Sequence, residues 1–232
     1  MSVNPPRYAL VFDGDDTLWE NNVYFEAAIE DFIDFLQHSR LDRRQVRDVL
    51  DEIERLNSSV HGYGSASFAI NLRQCYERLS EREIKEEDVR HVLGLAERII
   101  EQPLTLLPDV RETIEVLARR HQLLLLTKGH PEEQRLKIER SELAPYFQAA
   151  VVVKEKDVES YAKLLKEQKL DPPRTWMIGN SPRSDINPAL KAGLNAVYIP
   201  HEQTWSLERE EVPSPNGRLI VLERFAELAE RF

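Results

Sequence analysis

The chain has 232 residues, 41% of them hydrophobic, enough to bury a sizeable core as one large domain or as a core carrying a smaller insert. Its net charge of -10 argues against nucleic acid or an anionic membrane surface as the main partner, but leaves a small anionic substrate open, because a few local lysines, dipoles or a metal can override the global balance. The single cysteine, Cys75, excludes an intrachain disulfide framework and reads as an inert thiol within a helix, suited to a reducing compartment. The opening MSVNPPRY has one early arginine and no long apolar stretch, and nothing later approaches the roughly 20 apolar residues of a membrane span. A soluble, cytoplasmic protein is expected.

The first apolar run, Tyr8 to Phe12, reads as a buried strand. Asp13, Asp15 and Asp16 follow it at once, in FDGDDTLW. At an effective dielectric near 20, two carboxylates about 4 Å apart repel by roughly 4 kcal/mol, so this crowding implies a bound positive partner. Alternate aspartates also begin an EF-hand, but the sixth position from Asp13 is Leu18 instead of Gly, and the twelfth is Tyr24 instead of Glu.

From residue 21 to 102 the pattern is helical. Tyr24 to Gln37, Asp42 to Asn57, Ser65 to Leu79 and Lys85 to Ile100 each repeat apolar residues every three or four positions, which predicts a four-helix bundle. Pro103 and Pro108 punctuate the return. Short apolar runs then alternate with amphipathic helices. The predicted strands are Gln122 to Thr127, Ala149 to Val153, Thr175 to Ile178 and Ala196 to Ile199; the helices are Asp109 to Arg119, Pro131 to Glu139, Asp157 to Gln168 and Ser184 to Ala192. Continuous apolar strands separated by helices indicate a parallel sheet covered on both faces. The expected organisation is an α/β core of residues 1–20 and 103–232 with a helical insert at 21–102.

In such a sheet, ligands bind at the carboxyl ends of the strands. After the predicted strands stand Asp13-Gly14-Asp15-Asp16-Thr17, then Thr127-Lys128-Gly129, then Lys154-Glu155-Lys156-Asp157, then Gly179-Asn180-Ser181-Pro182-Arg183-Ser184-Asp185. The order DxDxT, a strand ending in Thr, a Lys, and a GN-xxxx-D loop resembles the four signature motifs of the haloacid dehalogenase superfamily of phosphohydrolases. The insert after the first motif is similar to that family's helical cap of the first type. A two-component receiver also gathers Asp, Thr and Lys around Mg²⁺ on a parallel sheet, but receivers are shorter, and their phosphorylated Asp does not sit on the first strand ahead of a long helical insert.

The resemblance implies a Rossmann-like sheet and Mg²⁺-dependent hydrolysis of a small phosphate monoester through an aspartyl-phosphate. In that reading Asp13 is the nucleophile and Asp15 the general acid and base, a residue that the family's dehalogenases lack. Gly14 lets backbone N–H groups approach the phosphoryl oxygens, and Asp16 shapes the turn. Thr127 matches the hydroxyl that binds a phosphoryl oxygen. Lys128 replaces the family's usual Asn and is either a further cation for the substrate or a solvated charge. Lys156 matches the motif lysine, because it stands just before a helix that Asp157 can cap, with Lys154 as the fallback. Asp13, Asp15, Asn180 and Asp185 form the expected metal set, with Asn180 in place of a usual Asp, and either Asn180 or Asp185 in direct contact with the ion.

Substrate choice is expected in the helical insert. In HGYGS, residues 61–65, Gly62 and Gly64 make a tight helix-helix turn, or His61 and Tyr63 close over the leaving group. His201, Thr204 and Trp205 form a further wall or a surface tail. The expected partner is a phosphorylated metabolite, with neither nucleic acid nor membrane involved. A phosphomutase or phosphotransferase using the same Asp13, or a non-catalytic phosphate-binding protein on the same scaffold, are the alternatives.

Overall fold

The computed structural model describes residues 7–232, so the opening segment read above lies outside the described residues except for Arg7 and Tyr8. The chain divides into two compact units. One joins the chain up to Glu20 with Leu104–Phe232, and the other is Asn21–Pro103.

The larger unit is built on a six-stranded sheet in the order β3-β2-β1-β4-β5-β6, in which every pairing is parallel. The strands are β1 (Ala9–Phe12), β2 (Gln122–Lys128), β3 (Ala149–Val153), β4 (Thr175–Gly179), β5 (Asn195–Tyr198) and β6 (Leu219–Val221). Alternate residues of β1 serve opposite faces, as the pleat requires. Leu10 and Phe12 join Leu123, Leu125 and Ile178 in a core completed by Val110, Ile114 and Leu117 of α5 (Val110–Ala118). Ala9 and Val11 join Leu124, Leu126 and Met177 under Tyr161, Leu164 and Leu165 of α7 (Val158–Glu167). Both faces are therefore covered, which is why these strands read as unbroken apolar runs.

Five strands match the expected ones to within one residue at each end, β2 and β4 running on to take in Lys128 and Gly179. The sixth strand was not foreseen. It is three residues long, sits at the sheet edge and needs β5 beside it to exist as a strand. From β1 the sheet grows one way through β2 and β3 and the other way through β4, β5 and β6. The crevice at this reversal is where ligands bind in open parallel sheets.

The smaller unit is four helices around their own core: α1 (Asn22–Leu36), α2 (Arg43–His61), α3 (Ser65–Leu79) and α4 (Glu86–Glu101). Phe32, Leu50, Leu72, Tyr76 and Leu95 are buried within it. Asp42 begins α2 with a reciprocal capping box, accepting from the Gln45 N–H at 2.8 Å while Gln45 accepts from the Asp42 N–H at 3.0 Å. Helix α2 runs to His61 and not to Asn57, so the loop is only Gly62–Gly64. Both glycines have positive φ, 72° and 107°, the backbone geometry of a tight turn. Cys75 is buried here, and burial pushes its thiol up to about 12. No helix among the described residues is long and apolar enough to cross a membrane.

Candidate active site

The exit of β1 sets the site. The Asp13 N–H continues the β1/β4 ladder by donating to the Ile178 carbonyl at 2.9 Å, so this residue stands where the sheet ends. The chain then turns tightly: the Leu18 N–H donates to the Gly14 carbonyl at 2.8 Å, and Asp16 takes a left-handed φ of 57°, which Asp tolerates better than most residues. Gly14 has a reason that its sequence position did not suggest. A Cβ there would lie 2.6 Å from the Trp19 indole, so the ring occupies the space of the missing side chain.

Lys156 reaches this point from the far end of β3 and is 3% exposed. Its Nζ donates to Asp13 Oδ1 and, at 2.8 Å, to Asp185 Oδ1. The capped start of α7 fixes the lysine: Asp157 accepts from the Ser160 N–H at 2.8 Å. Lys154, two residues earlier, is exposed. Two buried carboxylates thus share one buried ammonium. Burial and the Asp185 charge push Asp13 up to about 7 against the pull of Lys156. Burial likewise raises Asp185. Burial draws the Lys156 ammonium down, but Asp13 and Asp185 outweigh this and leave it above the ordinary lysine value.

Asp185 lies in a π-helical turn, Pro182–Ile186, that precedes the short α8 (Asn187–Lys191). The expected single helix from Ser184 is broken this way because Pro188 has no N–H to give the carbonyl of Ser184. That carbonyl instead accepts from the buried Tyr161 hydroxyl at 2.9 Å. The turn brings Asp185 back beneath Gly179, where a Cβ would meet Oδ2 at 2.2 Å, and the same oxygen accepts from the Ser181 N–H at 2.9 Å.

Asp15 faces a different set of partners. Trp19 Nε1 donates to Oδ1 at 2.7 Å and Gln134 Nε2 to Oδ2 at 2.9 Å, while Lys137 Nζ reaches both oxygens at 2.9 and 3.1 Å. Burial pushes this carboxyl up, but Lys137 and the surrounding donors outweigh it and hold Asp15 below the ordinary 3.8. Gln134 and Lys137 lie on α6 (Pro131–Arg140), one turn apart. Gln134 also accepts from Thr127 Oγ1 at 3.1 Å, which joins the second motif to the first. Both residues escaped the sequence reading.

Asn180 accepts from Thr17 Oγ1 at 3.1 Å and donates to Thr204 Oγ1 at 3.2 Å. Thr17 also reaches Asp13 Oδ2 at 3.3 Å. Thr204 is therefore a buried support for the fourth motif and no surface tail. Lys128 is not a free cation either. Its Nζ contacts Glu208 at 2.5 Å and Ser184 Oγ at 2.9 Å. Glu208, also missed, accepts from Ser181 and Ser184 hydroxyls at 2.5 Å each. Burial raises this carboxyl, but Lys128 and the two serines bring it below its ordinary value. The position where the family has Asn thus ties β2 to the loop carrying Asn180 and Asp185. His61 and Tyr63 belong to the helical unit, the first exposed at the end of α2 and the second half-buried in the two-glycine turn.

The oxygen donors of Asp13, Asn180 and Asp185, gathered at the ends of β1 and β4, suit a hard cation such as Mg²⁺, and one buried ammonium does not balance the carboxylates among them. The expected four residues do not crowd as a bare ligand cage, because Lys156 stands between Asp13 and Asp185. Among the described residues, the group whose ligand atoms all lie within 4.8 Å of one another is Asp16, Glu20 and His201.

This constellation on a parallel sheet has a counterpart among known proteins. The model of the haloacid dehalogenase-like hydrolase family matches residues 9–193, and the chain belongs to that family. Human N-acylneuraminate-9-phosphatase is 28% identical over 223 residues, covering 88% of this chain and 87% of the relative. The rat phosphatase of the same name is 28% identical over 202 residues, covering 81% of this chain and 80% of its own. The structure of a haloacid dehalogenase-like family hydrolase from Xanthomonas campestris superposes with a TM-score of 0.84 at 29% identity, covering 97% of this chain and 94% of that one. A hydrolase of the family from Bacillus subtilis, solved bound to magnesium, shares the fold with a TM-score of 0.69 at 18% identity, covering 97% and 99% of the two chains.

Proposed function

We propose that the protein is a Mg²⁺-dependent phosphatase acting on a small phosphate monoester through an aspartyl-phosphate on Asp13. The observation that carries this reading is the placement of two carboxylates of opposite character, Asp13 against Lys156 and Asp15 against Lys137, at one strand exit. An Asp13 oxygen bonds to phosphorus as the bond from phosphorus to the leaving oxygen breaks, and Asp15, ionised among its own partners, takes the proton of the monoanionic ester as it enters and passes it to that oxygen. Asp15, now ionised, takes a proton from water, whose oxygen bonds to phosphorus while the Asp13 ester bond breaks and inorganic phosphate departs. Lys156 balances the charge that builds on the phosphoryl group, and Thr127 supplies a hydroxyl to it. Magnesium, held by Asp13, Asp15, Asn180 and Asp185, would neutralise phosphoryl charge and orient the group.

The residues named so far recognise phosphate, so substrate choice is assigned to the helical unit, where the turn after α2 carries His61 and Tyr63. The name shared by the curated relatives makes N-acylneuraminate 9-phosphate the first compound to assay. The test is release of inorganic phosphate from a panel of sugar phosphates, nucleotides, phospho-acids and a nitrophenyl ester. Release that requires Mg²⁺ and falls to background in Asp13→Asn supports the reading. Transfer to an acceptor without free phosphate, or no turnover of any ester, overturns it.

A further inference from the structure

Helix α6 contains two side chains that the proposed chemistry does not use, yet both are directed at residues that it does use. Gln134 and Lys137 are three residues apart and so share a helix face. Gln134 is 3% exposed, an unusual position for a glutamine unless both ends of its amide are satisfied. They are. Its Nε2 donates to Asp15 Oδ2 and its Oε1 accepts from Thr127 Oγ1. The orientation of the amide is forced, since the flipped form would set Oε1 against a carboxylate. Gly129 gives the amide room: at φ 138° it occupies backbone space open mainly to glycine, and a Cβ there would stand 3.1 Å from Gln134 Nε2. Lys137 then grips Asp15 through both oxygens, while Trp19 holds it from the β1 side.

We propose that Gln134 and Lys137 are positioning residues that fix the Asp15 carboxylate for proton transfer to the leaving oxygen. This rests on the phosphatase reading above. A carboxylate met by donors from two directions loses the freedom to rotate about its side-chain torsions, and proton transfer tolerates little error in distance or angle. Neither residue needs to touch the substrate.

A positioning role of this kind has a signature that simple structural support lacks. A good leaving group such as nitrophenolate departs with little help from an acid, whereas an alkoxide needs the Asp15 proton. The experiment compares the wild type with Lys137→Met, Lys137→Arg and Gln134→Leu on p-nitrophenyl phosphate and on a simple alkyl phosphate with Mg²⁺ present, with circular dichroism melts to verify folding. In Lys137→Met and Gln134→Leu, kcat on the alkyl ester should fall about 100-fold. KM should stay within about threefold, as expected when an interaction made in the transition state is lost. The aryl ester should lose less than about tenfold, and Lys137→Arg should restore most of the alkyl rate. Equal losses on both esters, a change confined to KM, or no change in a folded variant would overturn the inference and leave the phosphatase reading intact. A wild type inactive on every ester would sink both.

Discussion

The two sides of the β1 exit treat the same residue type in opposite ways. On one side Asp13 shares Lys156 with Asp185, and its carboxyl is pushed up to about 7. Two positions further on, Asp15 holds Lys137 at 2.9 Å, with Glu133 farther from the same ammonium at 3.8 Å, accepts hydrogen bonds from Trp19 and Gln134, and is held below its ordinary value. Both carboxylates are desolvated, so burial does not separate them. The neighbours do: the Asp185 charge raises Asp13, while Lys137, Trp19 and Gln134 lower Asp15. The Asp13 side has two acids bonded to one ammonium and suits a further positive charge, whereas four hydrogen bonds already hold the Asp15 charge.

Removing the shared cation should have the largest effect. Lys156→Met leaves Asp13 and Asp185 facing each other in a buried site, and urea unfolding at pH 7 should show a loss of about 3–5 kcal/mol. A loss no greater than that of an exposed lysine would break the comparison. The two aspartates should then respond in opposite senses. In metal-free protein, Asp15→Asn takes from the partly buried Lys137 its nearer carboxylate, leaving Glu133 at 3.8 Å, and should cost about 1–3 kcal/mol. Asp13→Asn removes the surplus charge and should raise the melting temperature, by about 2–4 °C for each kcal/mol gained in a chain of this size.

The comparison also extends to pH dependence. Between its ordinary 3.8 and about 7, folded Asp13 retains a proton that the unfolded chain has lost, so the folded state binds more protons in that window. Its contribution to stability is thus full below 3.8 and is lost as pH rises towards 7. Asp15 has the reverse sign: its contribution is present above the ordinary carboxylate value and is lost only as pH falls through its depressed one. Melting curves in chelator should therefore decline from pH 4 to pH 7 through the Asp13 side, and Mg²⁺ should raise the melting temperature more at pH 8 than at pH 5. An equal rise at both would contradict the charge imbalance.

The residues most readily read from sequence were those whose position follows from a strand ending. Asp13, Thr127, Lys156 and Asp185 each come just after an apolar run or within the loop that follows it, and a parallel sheet brings such ends together. Choosing Lys156 over Lys154 was possible because a capping residue follows it. Glu208 carried no such signal, since it sits in a polar segment after β5 and its partners Lys128, Ser181 and Ser184 are 80, 27 and 24 residues away. Gln134 and Lys137 were hidden for another reason: on an amphipathic helix they look like ordinary polar positions until the strand end they face is known. The edge strand β6 was hidden because three residues have no periodicity of their own.

The Thr127 hydroxyl has a single hydrogen, and in this structure it goes to Gln134. A phosphoryl oxygen bound at Thr127 must claim that same hydrogen, so the glutamine carbonyl and the incoming phosphate compete for one donor. Occupancy of the site would then be legible in the Gln134 side-chain amide, whose NMR resonances should shift when inorganic phosphate is titrated in and remain fixed in a Thr127→Val variant.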